Sequence, residues 1–402
     1  MNIVKSLDFI IVLIVFLIFP LGGLMFSFYF VLNSNTRRKL CEFAFFLAMY
    51  ISFINASKVI DSDPDLPWYT EQYKMAGAMG YIEYIFGFGM NGQGRELFFP
   101  TFNYVIYFLI GDNVNFYRFI HSMICYSLSF YAIVRLGNFI KQSNRQIIVS
   151  LVWFACFPWI FTYSQTILRQ FLASSFLMII LVEHFLYKKK MFILSICMVL
   201  THTSTFIFLP FLYLPFFKKP LTKKTIVFYL IGIVLLASVQ MLSQTLSNVF
   251  ATTGDNALTY VLNRASADTT FELPPLGIDK ILFLIVISGV CLYTYYNIRT
   301  RQKVLFESHF FHIGLINTIV VFCVFIIANL RQLELSNRFF SYTAMLSAVP
   351  IVYLTSKYRP SNEAVQIYFY MMQIMLVLYF THSMYRYDIP LGIMFLPIQY
   401  VL

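Results

Sequence analysis

Long apolar stretches recur along the chain at about 7–32, 40–56, 116–135, 147–163, 166–187, 225–246, 279–298, 308–329, 338–356 and 364–382, with short polar runs between them. A helix needs about 20 consecutive apolar residues to cross the hydrocarbon core of a bilayer, and these stretches approach or exceed that length. Runs such as 10–19 and 281–293 are continuously apolar, whereas strands of a membrane barrel alternate lipid-facing and lumen-facing residues. The pattern predicts an all-α polytopic membrane protein of about 10–12 transmembrane helices, with residues 1–402 forming a single multi-span domain. No signal-peptidase site follows the first apolar run, so 7–32 reads as one retained span. Two segments fit a simple crossing badly. Residues 97–110 are too few and include Pro100 and Asn103, which predicts a short helix lying on the membrane surface. Residues 191–217 are interrupted by Thr201, His202, Thr203, Ser204 and Pro210, which predicts a re-entrant hairpin turning near His202.

Composition agrees with this pattern. The chain is 59% hydrophobic and 12% charged, about half the charged share of a soluble domain, so most of its surface cannot face water. The net charge of +11 is explained by where the charges sit. Basic clusters at 37–39, 135–145, 188–190, 218–224, 299–303 and 357–359 fall at span ends, and placing all of them in the cytoplasm satisfies the positive-inside rule. That face then holds eleven Lys and seven Arg against four acids, and the outer face carries the other fourteen acids. Nucleic acid is excluded as a partner, because its recognition needs basic residues gathered on a folded face. The six cysteines lie in apolar runs without a C-x-x-C, which argues against disulfides and a zinc site. With no phosphate-binding glycine loop in the chain, no cofactor or metal is expected.

Two long outer loops, about 57–97 and 247–278, leave room for a water-facing site. Seven arginines fall on the outer side under this topology: Arg95, Arg118, Arg169, Arg264, Arg331, Arg338 and Arg386. Arginine offers a planar fork of donors that matches phosphate oxygens, which suits a lipid-linked phosphate or pyrophosphate. The plainer reading is that each arginine pairs with an outer carboxylate or reaches the headgroups. Arg169 and Arg338 stand apart, because they sit at the starts of apolar helices, where an unneeded charge is expensive. Asp61, Asp63 and Asp65 lie in DSDPDLPWY, where Pro64 and Pro67 predict an extended, pre-formed loop. Trp68 and Tyr69 beside them offer faces for stacking on sugar rings. His202 breaks an apolar segment between two threonines, which places it at a cavity or in a structural bond. Glu96 suits a general base for a hydroxyl, or an ion-pair partner. His121 reads as interfacial.

Four short motifs resemble the EpsG/Wzy-type family of bacterial polysaccharide polymerases. Asp65 and Tyr69 frame DLPWY in the first outer loop, and Glu96 opens ELFF at the start of the short helix. Arg169 and Gln170 open RQFLA, followed by His202 in HTS, and Arg338 and Tyr342 frame RFFSY. Together they cover about residues 50–345 in the family's order. The R-x10-G pattern of another O-antigen polymerase group is not visible at Arg169 or Arg264, which favours the EpsG-like branch. The resemblance implies a GT-C-like glycosyltransferase of the bacterial inner membrane, with its active site facing the periplasm. Such an enzyme joins undecaprenyl-pyrophosphate-linked oligosaccharide units, so its partners are a lipid-linked donor, a lipid-linked acceptor and the bilayer, and there is room for a chain-length regulator. On this reading Asp65, Glu96 and His202 are the catalytic candidates. Arg169, Gln170, Arg338, Tyr342, Tyr69, Arg264 and Arg331 are the groups expected to hold pyrophosphate and glycan.

Other functions share part of this pattern. A glycan ligase, or another polyprenyl-phosphate-dependent glycosyltransferase, would use the same arginines and outer loops. A flippase or transporter would show inverted repeats and charges at the middle of several spans, and neither is visible.

Overall fold

A computed structural model describes residues 3–34, 36–60, 65–87, 96–214, 276–301, 319–324, 326–327 and 333–354, with a few isolated positions besides. Every extended element among them is helical. The expected spans at 225–246, 308–329 and 364–382, and the second outer loop, lie wholly or largely outside the described residues. Four described helices are long and apolar enough to cross a membrane, or five if one bent pair counts as a single span. The chain is an all-α polytopic membrane protein. It divides into two compact units, one of residues 1–209 with 355–402 and the other of residues 210–354.

In the first unit the chain runs through α1 (Ile3–Ile18), α2 (Pro20–Leu32), α3 (Arg37–Ala56), α4 (Asp65–Met75), α5 (Tyr81–Gly87), α6 (Phe98–Ile110), α7 (Val114–Phe139), α8 (Asn144–Cys156), α9 (Pro158–Thr166), α10 (Leu168–Phe185) and α11 (Phe192–Thr201). A 3-10 turn (Thr203–Phe208) and the short α12 (Leu209–Tyr213) follow.

The first apolar run is not one span. Phe19 leaves the helical region (φ −144°, ψ 87°) and Pro20 begins α2, as suits a residue whose fixed φ and missing N–H are tolerated only in a first turn. The rings of Phe9 and Phe16 on α1 meet Phe46 and Phe53 on α3 in ascending order, so α1 and α3 run parallel, and α2 returns between them. A methyl group on Gly23 of α2 would sit 2.4 Å from the Phe16 backbone, so glycine is what lets the two arms of this hairpin close. The hairpin places Asp8 beside Lys39, 3.2 Å apart. Lys5 and Asp8 therefore belong with the basic cluster at 37–39 and not on the opposite face, as a single crossing would require.

The basic clusters at 135–145 and 188–190 gather at that same end. Arg37 donates to the Gln142 carbonyl and to Asn144 Oδ1 at 2.5 and 2.8 Å. Glu183, buried at the end of α10, pairs with Arg135 and Lys189 at 2.7 Å each. A membrane-buried carboxylate is retained only when compensated in this way.

Helices α8 and α9 form a pair bent by 53°. Ser143 and Gln146 close a reciprocal capping box at the start of α8. Pro158 forces Phe157 into an extended conformation (ψ 122°), since the residue before a proline is driven out of the α region. A second break at Ile167 separates α9 from α10. The stretches expected as spans at 147–163 and 166–187 are thus one bent pair and one continuous helix.

The expected short helix at 97–110 is α6, 13 residues long and about 20 Å at 1.5 Å per residue. Phe108 and Leu109 on its outer face are 71% and 77% exposed, and Gly111 ends it in the left-handed region (φ 73°). His121 on α7 is not interfacial: it is fully buried against Phe99 and Phe102 of α6. Arg118 proves to be structural. Buried on α7, it donates to the carbonyls of Asn55 and Lys58 at 2.6 and 2.7 Å, taking up acceptors that the end of α3 leaves unused.

In the second unit, α13 (Ile278–Arg301), α14 (Leu333–Leu346) and α15 (Ala348–Leu354) are described. Leu284, Ile287 and Cys291 form the buried stripe of α13, while Leu282, Ile285 and Val286 are more than half exposed. Lys280 donates to Asn337 Oδ1 at 3.2 Å and lies over the Phe340 ring.

Candidate functional site

The end of the first unit opposite the basic clusters holds a cluster of ionisable groups built from four elements. Its centre is Glu96, in the turn that enters α6 and only 6% exposed. One carboxylate oxygen, Oε2, accepts from Nη1 of Arg169 at 2.5 Å. The other, Oε1, accepts from Nδ1 of His202 at 2.9 Å, from the backbone N–H of Thr203 at 3.2 Å and from the Thr203 hydroxyl at 3.4 Å. Burial opposes ionisation, but His202, Arg169 and the Thr203 N–H outweigh it and hold the Glu96 carboxyl at about 2.

Local sequence explains each position. Arg169 is the second residue of α10, exposed to the chain break at Ile167. A cation in the first turn of a helix faces the positive end of the helix dipole, so this arginine is electrostatically misplaced unless an anion meets it, and Glu96 is that anion. The Arg169 guanidinium also lies 4.8 Å from the centre of the Trp68 ring and 5.7 Å from that of Tyr69. Its Nε donates to the Tyr69 hydroxyl at 3.5 Å. Nη2 meets no acceptor among the described residues.

His202 occupies the break between α11 and the 3-10 turn. Its backbone is extended (φ −152°, ψ 113°), and its carbonyl accepts from the Thr205 hydroxyl at 2.7 Å. The expected interruption of 191–217 therefore falls at His202, with 215–217 outside the described residues.

The acidic segment differs from expectation. Asp65 starts α4, with Pro67 tolerated in the first helical turn, so 65–75 is helix and not an extended loop. Asp65 is exposed and one turn before the buried Tyr69. The D-x-x-x-Y spacing thus puts both on one face of α4, the face that meets Arg169. Gln170 is buried beside Arg169 on α10.

The remaining sequence-derived candidates belong to the second unit or fall outside the described residues. Arg338 and Tyr342 belong to the second unit, one helical turn apart on α14. Arg338 is half-buried and Tyr342 fully buried. Arg264 and Arg331 lie outside the described residues, as do Asp61, Asp63, Arg95 and Arg386. Sequence reasoning overlooked Thr203 as a donor to Glu96; its place beside the helix-breaking His202 was the available signal. Among the described residues no group of three or more metal-ligating side chains occurs.

An all-helical membrane protein with a buried Arg–Glu–His cluster where three helices start or break is the class that fold and site define. Residues 42–400 match the family model of the EpsG family. The chain belongs to the EpsG family, the family of Wzy-type polysaccharide polymerases, and its function is that of a polymerase-type glycosyltransferase in general. No curated protein and no solved structure matches it.

Proposed function

We propose that this protein joins oligosaccharide repeat units carried on undecaprenyl pyrophosphate, at the periplasmic face of the bacterial inner membrane. The product is an O-antigen, capsule or exopolysaccharide chain. The observation that carries this reading is the Arg169 guanidinium, oriented by Glu96, Tyr69 and the Trp68 ring. Glycosyl transfer from a lipid pyrophosphate builds negative charge on the leaving group, and pre-oriented cationic donors stabilise that charge best in a site shielded from water. The flanking Trp68 ring suits the apolar face of the sugar next to the pyrophosphate. Positive-inside orientation favours this placement, because the cluster lies at the end of the first unit opposite its basic residues. Arg338 and Tyr342 are proposed to hold glycan or phosphate in the second unit.

The test is chain extension by the purified protein in nanodiscs, supplied with a lipid-pyrophosphate-linked oligosaccharide. Arg169→Ala is expected to lower the rate at least about 100-fold, the size of effect seen when one charge-stabilising donor is removed. Arg169→Lys should recover little of it, because a point charge cannot reproduce the fork. Wild-type ladders from Arg169→Ala would sink the proposal. Transfer of a finished glycan to a different acceptor, without chain growth, would favour a ligase.

A further inference from the structure

Glu96 was a natural choice of general base from sequence, but its surroundings argue for another role. Both carboxylate oxygens are occupied, by Arg169 on one side and by His202 and Thr203 on the other. A carboxylate held at about 2 is a weak proton acceptor near neutrality, where the most effective base titrates close to the working pH. The same contacts do something specific to the histidine. A carboxylate at Nδ1 places the imidazole proton there and the lone pair on Nε2, fixing the tautomer through the group on the opposite nitrogen. It also stabilises the imidazolium once a second proton arrives.

We infer that Glu96 is a positioning residue and that Nε2 of His202 takes the proton from the acceptor hydroxyl. This inference rests on the polymerase reading. In the step it implies, the acceptor O–H proton moves to Nε2 while the hydroxyl oxygen forms a bond to the anomeric carbon of the donor. The bond from that carbon to the pyrophosphate oxygen breaks, and its electron pair leaves with the lipid pyrophosphate beside Arg169. The imidazolium then returns its proton to the released pyrophosphate or to water. Glu96 touches neither reacting atom. It fixes the ring from the α6 side and at the same time sets the distance between the base and the arginine, because one carboxylate grips both.

Two measurements on the full-length protein in nanodiscs test this. The first needs no substrate: nitrogen-15 NMR of histidine-labelled protein. It should show His202 as the Nδ1–H tautomer, and in Glu96→Gln its titration should fall by about one pH unit, the loss expected when an adjacent opposite charge is removed. The second is chain extension against pH. Glu96→Gln should retain measurable extension with the acidic limb of its profile moved to lower pH, Glu96→Asp should recover part of the wild-type profile, and His202→Ala should abolish extension. An unchanged His202 titration in Glu96→Gln overturns the positioning role, and extension by His202→Ala at the wild-type rate overturns the assignment of the base. If the wild-type protein extends no lipid-pyrophosphate glycan, the polymerase reading fails, and the NMR result still decides whether Glu96 sets the histidine.

Discussion

At the scale of single residues, the outer-side arginines turn out to differ in kind. Arg118 and Arg169 both lie early in their helices, α7 and α10. Arg118 has its guanidinium on two backbone carbonyls, while Arg169 has a carboxylate, a phenol and an indole face. Arg118→Ala should therefore act on stability: it leaves buried carbonyls unpaired, at a cost of about 3 kcal/mol, read as a lower unfolding temperature in detergent. Arg169→Ala should act on turnover instead. Glu96 adds a pH dependence. Its carboxyl is held near 2, below the ordinary 4.5, so its contribution to stability is present above about pH 4.5 and is lost as pH falls toward 2. The difference in thermal stability between wild type and Glu96→Gln should accordingly shrink as pH falls below 4.5. Denaturation curves across that range check it.

At the scale of elements, the ionisable cluster collects where helices fail to continue. Three of the cluster's four components flank an interruption: Glu96 in the turn before α6, Arg169 after the break at Ile167, and His202 between α11 and the 3-10 turn. Backbone freed from helical pairing is tolerated at membrane depth only where protein groups or a water-filled cavity satisfy it. Glu96 performs part of that task by accepting the Thr203 N–H. The proline-directed bend between α8 and α9 has a matching consequence. It brings Ser164 of α9 to 2.8 Å from Asn55 on α3, just ahead of the Arg169 break. Pro158→Ala removes the constraint on Phe157 and should lower chain extension by about 10-fold, since small misplacements near a reacting centre are costly, with little loss of expression. The hairpin at the start of the chain offers a separate check. Gly23→Val forces a side chain into the Phe16 backbone and should destabilise the protein by about 2 kcal/mol, measured as a drop in thermal stability.

At the scale of the molecule, charge orders the first unit. Basic clusters collect at one end, and the Arg–Glu–His cluster lies at the other. The α1–α2 hairpin changes the expected topology at its first step: residues near Lys5 lie on the same side as those near Lys141. A cysteine placed by Lys5→Cys and one placed by Lys141→Cys should react with a membrane-impermeant maleimide from the same face of oriented vesicles. Labelling from opposite faces would restore the single crossing. Much of this level was legible in the sequence, because hydrophobic length and the Lys and Arg bias act locally and survive any detail of packing.

The sequence by itself determined that this is a many-span helical membrane protein of polymerase type. It also singled out Arg169, His202, Glu96 and the DLPWY segment, since charge and polarity in apolar surroundings need a reason wherever they occur. Only the tertiary structure decided that the first apolar run folds back on itself, since that depends on Pro20 starting a helix and on Gly23 admitting Phe16. Only it decided that Arg118 is a helix cap. And only it joined Glu96 to Arg169 and His202, 73 and 106 residues away. A carboxylate's role is set by which donors reach it in space, and no spacing along the chain encodes that distance.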